Sequence, residues 1–291
     1  MKILVTGANG FIGQHLCHYL KDKVELTATS LSDSKLPSEW NIKFIKADLS
    51  IENEVVELIE IVVPQVVIHV AASSKPDECE RQPLQAMQQN SLATLYLVNA
   101  CKKLKIKHLI YFSSDFVLGD DGPHTEEATP SPLNFYGSTK LVGEEFIKTS
   151  GLPYTIFRPV FVYGKQFSNC RGSFIQTVIN QLTMGNSMRL VTDQLRTPTL
   201  VDDIVAAVYQ SIVLEKYGLY HLAGSEILSP YQMAVDIAEW AGLDTSLLIT
   251  VDEASFPEPV RRAKKGGLLA VKAVNELGFT QTPFKEALKR F

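Results

Sequence analysis

The opening stretch "MKILVTGANGFIG" admits few folds. An apolar, β-branched run ends in a glycine turn, and the turn leads straight into an apolar-periodic segment. Gly7, Gly10 and Gly13 stand at three-residue intervals. The first permits a sharp turn, the second lets the backbone approach a pyrophosphate, and the third lets helix and strand pack closely. The helix N-terminus then offers free N–H groups and the positive end of a dipole. The competing reading is a turn that only joins a strand to a helix. Between a strand and a helix, the spacing predicts a dinucleotide site, with Asn9, Phe11 and Ile12 on the same surface.

The rhythm that follows agrees. "VELTAT", "IKFIKA", "QVVIHVAA", "IKHLIYFSS" and "YTIFRPVFVYG" read as strands, separated by helical patterns at "ENEVVELIEIV", about Pro83–Leu104 and after Asn134. Strands without polar alternation are buried on both faces, as parallel strands between helix layers are. The expected fold class is α/β, a doubly wound Rossmann-type, mostly parallel sheet with a smaller C-terminal substrate-binding lobe. Residues 1–164 form the dinucleotide-binding unit, and 201–224, with "GLYHLAG" as a further strand, return to it. Residues 165–200 and 225–291 build the lobe. A ligand belongs above the carboxyl ends of the strands, between the two.

Composition narrows the function classes. A net charge of −4 gives no global attraction to nucleic acid or an anionic membrane. The four cysteines lie far apart without CxxC spacing, which favours a reduced, cytoplasmic setting over a disulfide framework or a zinc site. No metal site is expected. The chain reads as lacking a secretory leader, and its apolar runs are too short to cross a bilayer.

An acid after the second strand would bind the NAD ribose. "TATSLSDSK" puts Thr29 and Ser30 there, with Asp33 further out in the loop. No carboxylate then repels a 2′-phosphate, and Ser30, Ser32 and Lys35 supply donors for one. The expected cofactor is NADP(H); NAD(H) is the alternative if the loop accepts both. Asp48, beside Leu49, is either an acceptor for the adenine amino group or an Asx turn. Ala71, Ala72 and Ser73 are small where the backbone must pass close to the cofactor. His69 reads as a packed, hydrogen-bonded core residue.

"NFYGSTKLVGEEF" sets Tyr136 one helical turn ahead of Lys140. Hydride transfer to a carbonyl leaves charge on oxygen, so a proton donor must stand beside it. A lysine at i+4 shares the helix face and favours the phenolate by charge, while its ammonium can bond the nicotinamide ribose. Such a pair also occurs on ordinary surface helices. "IYFSSDF" adds Ser113, Ser114 and Asp115 at a strand end, where hydroxyls would project over a nicotinamide. Ser114 either holds the substrate oxygen against Tyr136 or caps a turn.

"TGANGFIG", "VVIHVAA", "QNSLATLYLVNAC", "IYFSSDFVLGD", "SPLNFYGSTKLVGEE", "RPVFVYG" and "TLVDDIVAAV" together resemble the extended short-chain dehydrogenase/reductases. Within them the chain is most similar to the dTDP-4-dehydrorhamnose reductase family. The resemblance implies a catalytic set of Ser114, Tyr136 and Lys140 with Asp115 beside it. It also implies that Asn90 organises the helix behind the site and that Arg158, Pro159 and Val160 lie near the nicotinamide. On the substrate side stand Lys75, Asp115 and Phe116, with Arg171, Arg196, Arg261 and Arg262 as diphosphate partners, since guanidinium groups suit phosphate oxygens. Ser114 replaces that family's threonine. The implied partner is a nucleotide-linked sugar, and helices 84–104 and 136–149 are the expected faces of a homodimer.

The leading expectation is an NAD(P)H-dependent reductase of the 4-keto group of a nucleotide-linked deoxysugar. A redox-neutral, NAD-dependent nucleotide-sugar epimerase is the first alternative. Dehydratases of this group carry Asp-Glu after the strand-end threonine, and Phe116 cannot shuttle protons as that glutamate does. A regulatory subunit on the same fold is the second alternative.

Overall fold

A computed structural model describes residues 1–167, 173–255 and 260–291. In chain order the first half runs β1 (Lys2–Thr6), α1 (Phe11–Leu20), β2 (Glu25–Ser30), β3 (Lys43–Lys46), α2 (Glu52–Val62) and β4 (Val66–His69). Then come α3 (Pro76–Arg81), α4 (Pro83–Ala86), a π-helical turn (Met87–Leu92), α5 (Ala93–Leu104), β5 (His108–Phe112), α6 (Phe135–Lys148) and β6 (Tyr154–Pro159). The second half contains β7 (Val162–Tyr163), α7 (Phe174–Thr183), β8 (Met188–Val191), β9 (Thr199–Leu200) and α8 (Val201–Val213). It closes with β10 (Gly218–Leu222), α9 (Pro230–Ala241), β11 (Leu248–Val251), α10 (Val271–Leu277) and α11 (Phe284–Leu288).

Seven strands form the main sheet in the order β10-β6-β5-β4-β1-β2-β3. Every pairing in it is parallel. This is the doubly wound arrangement read from the sequence, and its strand order reverses between β1 and β4. The central strands explain themselves. "VVIH" and "HLIYF" are buried along their whole length, because apolar cores cover both faces. On one face α1, α8 and α10 pack through Leu16, Cys17, Val201, Val208 and Ala273. On the other, α2, α5 and the end of α6 pack through Val55, Ile59, Leu97, Cys101 and Ile147.

A third core joins α7, α9 and α11 to the parallel pair β8–β11 through Val178, Leu190, Ile237 and Phe284. Residues from Leu268 to Phe279 do not join it. Leu268, Ala273, Leu277 and Phe279 pack into the main-sheet core instead, so the C-terminal third divides between two cores. Among the described residues no helix is long and apolar enough to cross a membrane.

Two expected elements are broken. "YTIFRPVFVYG" turns at Phe161, whose φ is +38°, so β7 leaves the sheet and pairs with β9. The helix expected over Pro83–Leu104 carries the π-helical turn at Met87–Leu92, a feature that inserts one residue into a helical turn and often marks a functional position.

Candidate active site

The carboxyl ends of the central strands open onto a cavity of about 880 Å³ beneath the third core. One end is lined by Gly7, Gly10, Phe11 and Ile12, with Ser30, Asp48, Leu49, Ala71, Ala72 and Ser73 around them. The other end is lined by Ser113, Ser114, Asp115, Phe116, Tyr136, Lys140 and Pro159. The glycine turn and the tyrosine–lysine pair therefore face a single cleft.

The turn meets the steric demands of its sequence. Gly7 has φ +67°, and a Cβ there would stand 2.6 Å from the Ala71 nitrogen. A Cβ on Gly13 would stand 2.2 Å from the Gly7 carbonyl oxygen, so Gly13 serves helix–strand packing and does not line the cavity. Gly10 is the N-cap of α1, and no side chain caps the helix or places an acid in its first turn. The leading N–H groups, uncapped at the cavity wall, fit a pyrophosphate. Asn9 points away and fixes the loop after β2: its Nδ2 donates to the carbonyls of Ser32 (3.3 Å) and Asp33 (2.9 Å), and its Oδ1 accepts from Lys35 N at 2.9 Å.

Thr29 is buried in the sheet, whereas Ser30 and Leu31 reach the cavity. The Asp33 carboxylate is exposed and paired with Lys46 at 3.1 Å. Asp48 Oδ1 accepts from Ser50 N (2.9 Å) and Ser50 Oγ (2.7 Å), an Asx turn on the cavity wall. His69 lies between Thr6 (2.8 Å) and Thr94 (3.1 Å), and burial pushes its imidazole down to about 3. It is a neutral core residue, as its strand context suggests.

The helix that carries the tyrosine begins where Asn134 Oδ1 accepts from Gly137 N at 3.0 Å, a side-chain N-cap. Tyr136 packs edge-on against Phe116, with ring centroids 5.5 Å apart. Burial is the largest influence on its phenol and raises it, Asp115 raises it further, and a hydrogen bond with Ser114 opposes both. Ser114 Oγ also donates to Asp115 Oδ1 (2.9 Å) and accepts from Phe116 N (3.3 Å). Ser114 caps the turn that follows β5, and it lines the cavity together with Tyr136. Burial likewise raises the Asp115 carboxyl, against the attraction of Arg196.

Lys140 is 1% exposed, and burial pushes its ammonium down to about 7. Its Nζ stands 4.2 Å from the centroid of the Tyr111 ring. The sequence suggested that the ammonium would favour the phenolate by charge; burial is the larger influence on Tyr136 and keeps it protonated.

Other expected site residues stand behind the wall or away from it. Ser113 lines the cavity, but its hydroxyl donates to Glu144 at 2.6 Å, because successive strand side chains point to opposite faces. Arg158 is buried in a bidentate pair with Glu144, with Val160 in the core beyond it; of that trio only Pro159 reaches the cavity. Asn90 holds Ser73 at both N (2.7 Å) and O (3.1 Å) and donates to Thr139 Oγ1 at 2.9 Å. It thus links the loop after β4 to α6. Replacing it by alanine leaves Ser73 N without this partner and cuts the link, while Thr139 Oγ1 keeps its bond to the Tyr136 carbonyl. The change is expected to cost about 1–3 kcal/mol in a denaturant titration. A loss near zero would show that the link is dispensable.

Lys75 bonds Glu78 at the surface, and Arg261, 68% exposed, pairs with Asp120; neither lines the cavity. Arg171 lies outside the described residues. Arg196 and Arg262 do line it, joined by Arg189 and Gln194, which the sequence reading passed over. Among the described residues no group of His, Cys, Asp and Glu is arranged to hold a metal ion.

The family model described as "RmlD substrate binding domain" matches residues 1–291. The chain belongs to that family. The methionine adenosyltransferase 2 subunit beta of Mus musculus is 31% identical over 99% of this chain and 86% of its own length. A dTDP-4-dehydrorhamnose reductase from Bacillus anthracis, solved in complex with NADP, is 26% identical with a TM-score of 0.84, covering 100% of this chain and 99% of that one. MoeE5, solved with UDP-glucuronic acid and NAD, is 27% identical with a TM-score of 0.86, covering 99% and 97%. This member of the RmlD substrate-binding-domain family thus has the extended short-chain dehydrogenase/reductase fold that its motifs implied.

Proposed function

We propose that the protein is a cytoplasmic, NADPH-dependent reductase of the 4-keto group of a nucleotide-linked deoxysugar. One observation carries the reading: an uncapped, glycine-built helix N-terminus and the Ser114–Tyr136–Lys140 set line the same cavity. Gly7, Gly10, Phe11 and Ile12 would hold the pyrophosphate, and Ser30 the ribose side of the adenosine. When bound, the reduced nicotinamide supplies a hydride to the carbonyl carbon. Tyr136 gives its phenolic proton to the oxygen, and Ser114, on the same cavity wall, holds that oxygen in place. Solvent then reprotonates the tyrosine, so each carbonyl reduced to an alcohol consumes one hydride and one proton.

Arg189, Arg196 and Arg262 also line the cavity, and guanidinium groups suit a diphosphate. Phe116, packed against Tyr136, offers no group for the proton shuttling that dehydration needs. The proposal includes a homodimer across helices 84–104 and 136–149; Leu84, at the start of the first, is 84% exposed.

A second reading is favoured by the Mus musculus relative, whose name is that of a subunit of another enzyme. On that reading the nucleotide fold serves as a docking surface. A panel of thymidine- and uridine-diphosphate 4-keto sugars, assayed for NADPH and NADH oxidation, tests the proposal. Turnover with NADPH is expected for at least one. No turnover with any, together with a protein that co-purifies, would support the subunit reading.

A further inference from the structure

The same helix face that presents Tyr136 and Lys140 carries a third buried polar group one turn further on, and the reaction as described leaves it unused. Glu144 is 0% exposed. Its Oε1 accepts from Arg158 Nε at 2.8 Å and from Ser113 Oγ at 2.6 Å, and its Oε2 accepts from Arg158 Nη2 at 2.7 Å. Arg158, itself 1% exposed, reaches His221 Nε2 at 3.5 Å, while His221 Nδ1 donates to the His124 carbonyl at 3.2 Å. The Lys148 ammonium closes the outer side at 3.3 Å. One carboxylate thus ties α6 to the ends of β5 and β6 and, through Arg158, to β10.

Those strand ends carry the cavity wall. Ser113 precedes Ser114, and Arg158 precedes Pro159, both of which line the cavity. A bidentate, fully buried arginine–carboxylate pair fixes orientation as well as distance. A surface salt bridge at the same spacing would leave the helix free to slide against the strands. Deep burial is costly for both ions unless every lone pair is engaged, and here Ser113, Arg158 and Lys148 engage them. Burial pushes the Glu144 carboxyl up, but its bonds to Arg158 outweigh that and hold it below the ordinary value.

We propose that Glu144 is a positioning residue for the active site: it locks α6 to the strand ends that carry Ser114 and Pro159, and it is the buried counter-charge of Lys140. The charged and titratable groups around Lys140 are Tyr136 and Glu144 on its own helix, Tyr111 on β5, His69 on β4 and Cys79 on α3. His69 is neutral, Tyr111 is held protonated by its burial and Cys79 is a buried thiol whose pKa is raised chiefly by desolvation. Among the described residues named, Glu144 is the carboxylate. Its charge opposes the desolvation that otherwise strips the proton from Lys140. The inference rests on the reductase reading for the value of a cationic lysine, but not for the pairing itself.

The test therefore needs no substrate. The Cε resonance of Lys140, labelled with carbon-13 and assigned by its loss in Lys140→Arg, is followed against pH in the ligand-free protein. In Glu144→Gln its titration midpoint is expected to fall by about one pH unit, and in Glu144→Asp, which keeps the charge, to return toward the parent value. If Glu144→Gln does not fold, the double substitution Glu144→Met, Arg158→Met leaves no unpaired buried ion and serves in its place, with a smaller fall expected because the Arg158 cation leaves with the carboxylate. A folded variant whose Lys140 midpoint equals the parent's would overturn the proposal, since a carboxylate that only braces the fold would lower Tm without moving that midpoint. Failure of the reductase reading would appear elsewhere, as no turnover of any 4-keto sugar nucleotide with the midpoint shift intact.

Discussion

Tyr136→Phe is expected to lower kcat about 10²–10⁴-fold, the usual contribution of a positioned general acid. The substitution removes the phenolic oxygen and nothing else from the cavity wall. Its ring would still pack edge-on against Phe116, so the fold and the cofactor end of the cleft should be unaffected. Burial holds this phenol protonated well above neutral pH, which suits a group that must give a proton to a developing alkoxide. The residual rate should depend on Ser114, whose hydroxyl would then face the substrate oxygen alone. A KM within a factor of a few of the parent, with kcat depressed, would place the lost interaction in the transition state. Parental kcat would remove Tyr136 from the chemistry.

Gly7→Ala attacks the other end of the cleft. At φ +67° an L-residue is strained by roughly 1–2 kcal/mol. The added methyl would also stand 2.6 Å from the Ala71 nitrogen, and relieving that contact means moving the backbone that lines the cavity. Overpacking of this kind costs about 1–3 kcal/mol. We expect the two to lower Tm by several degrees and to raise the Kd for NADPH more than about tenfold, since each 1.4 kcal/mol is a factor of ten. Fluorescence titration of NADPH alongside a melting curve reads both. A stable variant with parental affinity would mean that the turn does not hold the dinucleotide.

The parts of this molecule legible in its sequence are those whose geometry is local. The turn from β1 to α1 depends on glycines three residues apart. Tyr136 and Lys140 line one cavity because one helical turn separates them. Both-face burial of the central strands showed in their unbroken apolar runs. What escaped the reading depends on distant partners. Glu144 drew no reading from the sequence, because Arg158, its partner, lies on the next strand. The π-helical turn at Met87–Leu92 has no periodic signature; it places Asn90 where that side chain can bond both Ser73 and Thr139. Lys75 and Arg261 looked like substrate contacts by residue type, yet surface carboxylates occupy them. Ser113 was legible after all, since strand alternation turns its hydroxyl away from that of Ser114.

The central claim is that a hydride donor above the glycine turn and a proton donor at Tyr136 act on one carbonyl in one cleft. Deuterium tracing tests it most directly, using NADPH labelled at the transferred position and a nucleotide-linked 4-keto-6-deoxysugar. We predict net NADPH oxidation with one deuterium per product, located on sugar carbon 4. A product isomerised without net cofactor consumption, from protein that already carries NAD⁺, would contradict it.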